Sequence, residues 1–248
     1  MLPTLLTIGN LILGFSAIIV IIQPAAVGFT VAPLELAVWL IVAAGILDAI
    51  DGPLARRGKS RVTPWGAELD ALADVISFGV APAVVIGTAA PEGWQGAVIV
   101  AGIVFVLAGT WRLARFLWAG ATAREGRFSG LPSTAAGLAV VAFWLFEYDR
   151  LGGLTHIGIA TAGMIVLALL MVSRIAYEKF PELGEGGTRN RVKWVVTAVA
   201  VIAIALDPPR AGLAVVLLYL AHGPLAVLIR RRRTAGFDRG SEGDAGGG

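Results

Sequence analysis

The feature that most constrains this chain is a series of apolar segments, separated by short polar links, along almost its whole length. A helix of about 20 apolar residues is long enough to cross the hydrocarbon core of a bilayer. Such segments are expected to be helical, because backbone polar groups cannot stay unpaired in hydrocarbon. The predicted spans are residues 4–23, 34–54, 66–89, 95–118, 132–148, 154–173, 192–206 and 211–229. The sequence therefore predicts an all-α fold, a polytopic membrane helical bundle with about eight transmembrane helices.

The composition agrees with a protein that lies mostly within a membrane. Hydrophobic residues make up 57% of the chain and charged residues 15%, and the mean hydropathy is +0.80. These values exclude an ordinary soluble domain. The chain contains no cysteine, so disulfides and thiolate metal ligands are excluded as well.

The basic residues fall almost entirely on one side of the predicted bundle. Arg150 and Arg210 are the two exceptions among the 20 lysines and arginines. Because basic residues concentrate on the cytoplasmic side of membrane proteins, we expect an integral protein of the cytoplasmic membrane with both termini cytoplasmic. The net charge of +3 is then explained by topology and by attraction to anionic lipids, not by nucleic-acid binding.

The two ends of the chain differ in character. The first residues, MLPTLLTIGNLILGF, have no basic region and no small-residue cleavage site, so they are interpreted as a retained first span. The last residues are polar and rich in glycine, with too few apolar side chains to fold. We expect one transmembrane domain over residues 1–232 and a disordered cytoplasmic tail over residues 233–248.

Four aspartates occur where the second and third spans approach each other along the chain. Asp48 and Asp51 are three residues apart, and Asp70 and Asp74 are four apart, so each pair lies on one face of its predicted helix. An isolated aspartate at a helix end is usually a solvated cap or ion-pair partner. Four converging carboxylates would repel one another at a membrane unless cations neutralise them. Mg²⁺ and Mn²⁺ prefer oxygen ligands, so the pattern predicts a metal site.

The residues around these aspartates form the motif Asp48-x2-Asp51-Gly52-x2-Ala55-Arg56-x9-Gly66-x3-Asp70-x3-Asp74. This motif resembles the signature of the CDP-alcohol phosphotransferases. Four further segments are Pro3-Thr4-Leu5-Leu6-Thr7-Ile8-Gly9-Asn10, Ser77-Phe78-Gly79-Val80-Ala81-Pro82, Arg112-Leu113-Ala114-Arg115-Phe116 and Phe128-Ser129-Gly130-Leu131-Pro132-Ser133. They resemble the phosphatidylserine synthase branch of that family.

The resemblance implies a role for each residue of the signature. It implies two divalent metal ions, Mg²⁺ or Mn²⁺, with Asp48, Asp51 and Asp70 as ligands. Asp74 matches the fourth aspartate, a metal neighbour and candidate general base. It also implies CDP-diacylglycerol as the donor, membrane lipids as surroundings and a homodimer. The implied binding residues for the CDP-lipid are Gly52, Ala55, Arg56 and Gly66.

The serine branch further implies L-serine as the acceptor, whose carboxylate needs a cation. Arg112 and Arg115 lie three residues apart near the cytoplasmic end of the fourth span, where a guanidinium can hold a carboxylate through two hydrogen bonds. Anchoring at the membrane surface is an equally acceptable role for both. Arg127 and Ser133 are weaker candidates for serine binding.

The sequence does not decide the role of two polar residues in the first span, and three other residues bear on the choice of substrate. Thr7 and Asn10 either touch the nucleotide or hydrogen-bond between helices. Ile50, Ala71 and Leu117 depart from the residues expected in the serine branch, although none is a predicted metal ligand.

Two alternatives to the serine reaction remain. One is the same chemistry with another acceptor, such as glycerol 3-phosphate or an inositol phosphate, or with an archaeal ether-lipid donor. The other is an ion-coupled transporter. Transporters are typically built from internal repeats with charges near the membrane midplane, whereas no repeat is visible here and the acids lie at one edge.

Overall fold

The computed structural model describes residues 2–23, 32–57, 64–119, 127–178 and 188–242. Within these ranges, no side chain is described for residues 2–3, 51–57, 64, 119, 127–129, 176, 178, 188–194 and 226–242. The elements are α1 (Leu2–Ile22), α2 (Pro33–Arg57), α3 (Pro64–Asp74), a π-helical segment (Val75–Val80), α4 (Ala81–Ala89), α5 (Gln95–Ala119), β1 (Arg127–Ser129), α6 (Ser133–Leu151), α7 (Ile157–Val172), β2 (Ala176–Glu178), α8 (Thr188–Leu206) and α9 (Pro208–Glu242).

The predicted helical bundle is confirmed, and each predicted span coincides with a helical segment. The third span consists of α3, the π-helical segment and α4, which follow one another without a break. In the described residues, four segments are long and apolar enough to cross a membrane: Thr4–Ile22, Pro33–Ile50, Trp65–Ala89 and Gln95–Trp118. The protein is therefore an integral membrane protein, and eight crossings remain a prediction.

The side chains of α5 show how the bundle divides its apolar residues between core and lipid. Ala101 and Phe105 are buried against neighbouring helices, whereas Ile99, Ile103 and Leu107 are exposed. Those three residues recur every four positions and so line one face of the helix. In water this face would be unfavourable, but in a bilayer it lies against hydrocarbon. The buried face holds α5 in the bundle.

The turn from α6 to α7 is fixed by backbone capping. Gly152 ends α6 with a left-handed φ of 73°, and its N–H donates to the Tyr148 carbonyl at 2.9 Å. The buried Glu147 carboxylate accepts a hydrogen bond of 2.9 Å from the backbone N–H of His156, next to the start of α7. This satisfies a donor that would otherwise lack a partner at the helix start, and it sets the two helices side by side.

Two short strands depart from the all-α prediction. β1 and β2 pair antiparallel, with Phe128 opposite Tyr177. Gly130, directly after β1, has φ of 88°, and a Cβ atom there would overlap the Met171 carbonyl oxygen. Three-residue strands leave no periodic signal in the sequence, because their stability comes from pairing across a long separation.

The division of the chain into a transmembrane domain over residues 1–232 and a disordered tail over residues 233–248 stays a prediction. The backbone of the last described helix, α9, continues to Glu242, ten residues past position 232. Arginine is a good helix former, so the basic run after the last apolar segment continues the helix. Residues 243–248 lie outside the described residues.

Candidate active site

The π-helical segment determines where the side chains of the third span point. It begins directly after Asp74, and Ser77, Phe78 and Gly79 within it are buried. Ser77 Oγ donates a hydrogen bond of 3.0 Å to the Asn10 carbonyl oxygen on α1. An i→i+5 turn is wider than an α-turn and often occurs at functional sites. Here it fixes the third span against α1 immediately beyond the last aspartate of the signature.

Three aspartates of the signature lie close together at one end of the bundle. Asp48 comes from α2, and Asp70 and Asp74 come from α3. The three carboxylates are near enough to interact electrostatically. Asp74 is buried, and Asp48 and Asp70 are half-buried. The structure therefore brings together the described acidic side chains that the sequence predicts to converge.

The first turn of α6 contributes two hydroxyl groups to this cluster. Ser133 Oγ donates to Asp74 Oδ2 at 3.3 Å, and Thr134 Oγ1 donates to Asp48 Oδ2 at 2.8 Å. The positive end of the α6 dipole also lies here and favours negative charge. Adjacent residues of one helix thus reach aspartates on two different helices.

Among the described side chains, Arg112 is a cation that lies beside the aspartates. Its Nη1 donates to Ser133 Oγ at 3.1 Å, and its side chain is only 8% exposed. The guanidinium also interacts electrostatically with Asp74 and Tyr219. Arg115, one turn further along α5, donates to the Val172 carbonyl at 3.3 Å. Of the two predicted arginines, Arg112 joins the acidic cluster directly.

The two polar residues of the first span take part in contacts between helices. The Thr7 side chain hydrogen-bonds to Asp70. Asn10 is fully buried and accepts the Ser77 hydrogen bond through its backbone. Its side-chain amide has no hydrogen-bond partner among the described residues. Both residues therefore hold α1 against α3 and the π-helical segment.

For several predicted site residues only the backbone is described, whereas Gly66 is described in full. Gly66 lies in the first turn of α3, one turn before Asp70. The backbone of the next residues lies in α2, but their side chains are not described: Asp51, Gly52, Ala55 and Arg56. The backbone of Arg127 lies in β1, and its side chain is likewise not described. The roles of these residues remain predictions.

Sequence reasoning missed three residues near the site. Thr134 was overlooked although it follows a predicted site residue, because a threonine in a first helical turn is ordinary. Tyr219 on α9 lies close to Arg112, and its ring packs against Tyr177 with centroids 5.6 Å apart. The two tyrosines lie outside every recognised motif, so only the tertiary fold reveals them.

The chemical type of the donors in the acidic cluster suits a hard divalent cation. The cluster offers oxygen ligands, which Mg²⁺ and Mn²⁺ prefer. Asp70 and Asp74 each have one buried oxygen, Oδ1, without a hydrogen-bond partner in the described part of the chain. Such an oxygen is costly to bury unless a proton or a cation meets it. Among the described side chains, which do not include that of Asp51, no three or more His, Cys, Asp or Glu form a group that could hold an ion by themselves.

The fold and the site together define a helical integral membrane protein with an acidic cluster and a buried arginine at one end of its bundle. The sequence model of the CDP-alcohol phosphatidyltransferase family matches residues 1–173. The chain belongs to this family, whose members are transferases of phospholipid synthesis.

Individual relatives agree with the predicted branch. The CDP-diacylglycerol–serine O-phosphatidyltransferase of Helicobacter pylori is 34% identical over 195 residues, which cover 76% of this chain and 78% of the relative. The archaetidylserine synthase of Methanothermobacter thermautotrophicus is 34% identical over 185 residues, covering 74% and 72%. The CDP-diacylglycerol–serine O-phosphatidyltransferase of Mycobacterium tuberculosis is 28% identical over 244 residues, covering 93% and 79%. The resemblance to the serine branch is therefore confirmed.

Proposed function

We propose that this enzyme transfers the phosphatidyl group of CDP-diacylglycerol to the hydroxyl group of L-serine, giving phosphatidylserine and CMP. The observation that carries the proposal is the buried array of Asp74, Ser133 and Arg112. It joins a carboxylate that can accept a proton to a guanidinium that can hold the carboxylate of an amino acid. The names of the serine-using relatives support the same acceptor.

The acidic residues of the signature are proposed as the metal site. Asp48, Asp51, Asp70 and Asp74 would hold two divalent ions, Mg²⁺ or Mn²⁺, which when bound would neutralise the diphosphate and stabilise the departing CMP. The Oδ1 atoms of Asp70 and Asp74, which have no hydrogen-bond partner among the described residues, support this assignment, because each is a buried oxygen available as a ligand.

The transfer needs one proton acceptor and correct positioning. The serine hydroxyl oxygen bonds to the phosphorus that carries diacylglycerol, and the bond between that phosphorus and the CMP oxygen breaks. The hydroxyl proton passes to Asp74, the proposed general base. Arg112, supported by Ser133, holds the serine carboxylate, and Arg115 and Arg127 are further candidates for this contact. Positioning contributes much of the rate enhancement in such reactions.

The donor is proposed to bind along α2 and the start of α3. Gly52, Ala55 and Gly66 would leave room for the nucleotide to approach the backbone, and Arg56 would lie beside the diphosphate. These assignments rest on the family signature. We further propose a homodimer in the cytoplasmic membrane with the site on the cytoplasmic side, since the basic residues of the chain concentrate there.

An ether-linked donor is the second candidate. The relative from Methanothermobacter thermautotrophicus, named an archaetidylserine synthase, is as similar to this chain as the relative from Helicobacter pylori. The two reactions share the acceptor and differ in the lipid tails, which lie away from the reacting phosphorus.

Purified protein with Mn²⁺, labelled L-serine and either CDP-diacylglycerol or its ether-linked analogue tests the proposal. We expect CMP release that requires serine and forms one labelled lipid for each CMP. Glycerol 3-phosphate and an inositol phosphate serve as alternative acceptors in parallel reactions. Release of CMP with one of these acceptors, and not with serine, would contradict the proposal.

A further inference from the structure

Thr134 makes a contact that distinguishes it from other threonines of the bundle. Thr110 and Thr161 each donate their hydroxyl to the carbonyl four residues earlier in their own helix, the usual arrangement within helices. Thr134 instead donates to Asp48 Oδ2 on another helix, at 2.8 Å. This is the shorter of the two hydroxyl–carboxylate bonds described for the α6 start. The hydroxyl of Thr134 is therefore directed at the acidic cluster.

Close packing of α2 against α6 brings the two groups within reach. Gly45 lies three residues before Asp48, and Leu138 lies four residues after Thr134. A Cβ atom on Gly45 would lie 3.2 Å from the Leu138 methyl groups, so the two helices pack tightly here and a larger residue would require the Leu138 side chain to shift. Thr134 then faces Asp48 one turn away from this contact. The hydrogen bond between Thr134 and Asp48 thus lies beside a close contact between the two helices.

The Asp48 carboxylate, which Thr134 contacts, is a metal ligand in the proposed function. A carboxylate that binds a cation must present one oxygen in a defined direction, and a hydrogen bond to its other oxygen restricts rotation of the group. Partners of this kind around metal ligands typically change metal affinity or activity by about 10–100-fold when removed. A hydrogen bond that only joins α2 to α6 would have no such effect on metal binding. Metal affinity therefore distinguishes a structural role of Thr134 from a role in orienting the carboxylate.

We propose that Thr134 is a positioning residue that holds the Asp48 carboxylate in the orientation needed to bind a divalent cation. This inference rests on the proposed function only in assigning Asp48 to a metal site. Ser133 plays a different part, because its hydroxyl lies between Asp74 and Arg112. The start of α6 would thus orient Asp48 for the metal through Thr134. Through Ser133 it would connect Asp74 to Arg112, the residue proposed to hold the serine carboxylate.

The test measures Mn²⁺ binding to the purified protein without substrates, by electron paramagnetic resonance of the free ion. T134V keeps the shape of the side chain and loses the hydroxyl, so its apparent Kd should rise about tenfold or more. T134S keeps the hydroxyl and should bind as the wild type does. T161V is the matched control, because it removes a hydroxyl bonded within its own helix and should leave the Kd unchanged.

Two results would overturn the inference: a T134V Kd within about twofold of wild type, or an equal rise in T161V. If T134V does not fold, as judged by thermal unfolding in EDTA, T134A takes its place with the same expected rise. Wild-type protein that binds no Mn²⁺ would remove the proposed metal site together with the inference. Normal wild-type binding with an unaffected T134V would remove the inference alone.

Discussion

At the scale of single residues, the site contains a buried guanidinium and a buried carboxylate, and each stabilises the other. Arg112 and Asp74 are each 8% exposed, and Ser133 connects them by hydrogen bonds of 3.1 and 3.3 Å. A buried charge without a partner is strongly unfavourable, whereas a paired charge in a fixed place can bind a charged substrate with defined geometry. The array is thus well suited to an acceptor that carries its own carboxylate.

Removal of the guanidinium should therefore weaken acceptor binding. A charge-assisted contact is worth about 1.5–3 kcal/mol, so R112A should raise the KM for serine by roughly ten- to a hundredfold. R112K should restore part of the loss, because lysine keeps the charge and loses the planar fork. R115A is the comparison variant: a much smaller rise in KM there would assign the contact to Arg112, and a comparable rise would give Arg115 a share in it. Steady-state assays at varied serine and at varied CDP-lipid separate the two binding sites.

Ethanolamine provides a second control, since it resembles serine without the carboxylate. Any residual use of ethanolamine should be insensitive to R112A. An R112A enzyme that loses affinity for the CDP-lipid and keeps its affinity for serine would place Arg112 in the donor site. Arg127 would then be the next candidate for the serine carboxylate.

A site residue can be predicted from the sequence when its type is rare in the kind of segment where it occurs. The convergence of Asp48, Asp70 and Asp74 could be predicted, because a carboxylate in an apolar segment is costly and therefore indicates a special environment; their role as metal ligands stays a prediction. Thr134 and Tyr219 could not be predicted, because a hydroxyl residue is common in membrane helices and does not reveal its partner. Such partners are set by the contact between helices, which the sequence does not display.

At the scale of elements, α6 is placed by a close contact with the π-helical segment. A Cβ atom on Gly137 would lie 2.6 Å from the Phe78 carbonyl oxygen. Gly137 lies one turn after Ser133, and Phe78 lies one turn after Asp74. The glycine contact therefore sets the distance between the Ser133 hydroxyl and the Asp74 carboxylate.

A methyl group at this position should disturb both stability and activity. G137A should lower the free energy of unfolding by about 1–3 kcal/mol, because the opposing atom belongs to the backbone and cannot move aside easily. Turnover should fall as Ser133 is displaced from Asp74. Thermal unfolding and initial rates measure the two effects.

The matched control is G163A in α7, where a Cβ atom would meet nothing within 4 Å. Alanine favours a helix over glycine, so this variant should be at least as stable as wild type. A G137A protein as stable and active as G163A would contradict the importance of the contact between α6 and the π-helical segment.

Most helix ends could be predicted to within about four residues, because hydropathy reports the apolar segments directly; the end of α9, at Glu242 and not at residue 229, is the exception. The π-helical segment and the strand pair could not be predicted. A π-turn holds one residue more than an α-turn, and the mostly apolar sequence of Val75–Val80 does not reveal that extra residue. β1 and β2 are too short to show the alternation of apolar and polar residues that is typical of a strand. Both features are fixed by tertiary contacts, such as that between Ser77 and Asn10.

At the scale of the whole molecule, the distribution of charge predicts how the bundle lies in the membrane. Cysteines introduced at Gly58 and Gly246 should be protected from an impermeant thiol reagent in intact cells, and one at Gly93 should be labelled. The native chain has no cysteine, so the background is low. Labelling at Gly58 from outside would reverse the orientation and place the aspartates on the other side of the membrane.

The central claim is that the acidic cluster is the centre of a metal-dependent transfer to serine. The most direct test is the rate of serine-dependent CMP release by D70N, compared with wild type over a range of Mg²⁺ concentrations. A neutral amide is a much poorer ligand for a hard divalent ion, so we expect a folded protein without detectable turnover at any concentration. Wild-type rates from D70N at limiting Mg²⁺ would contradict the claim.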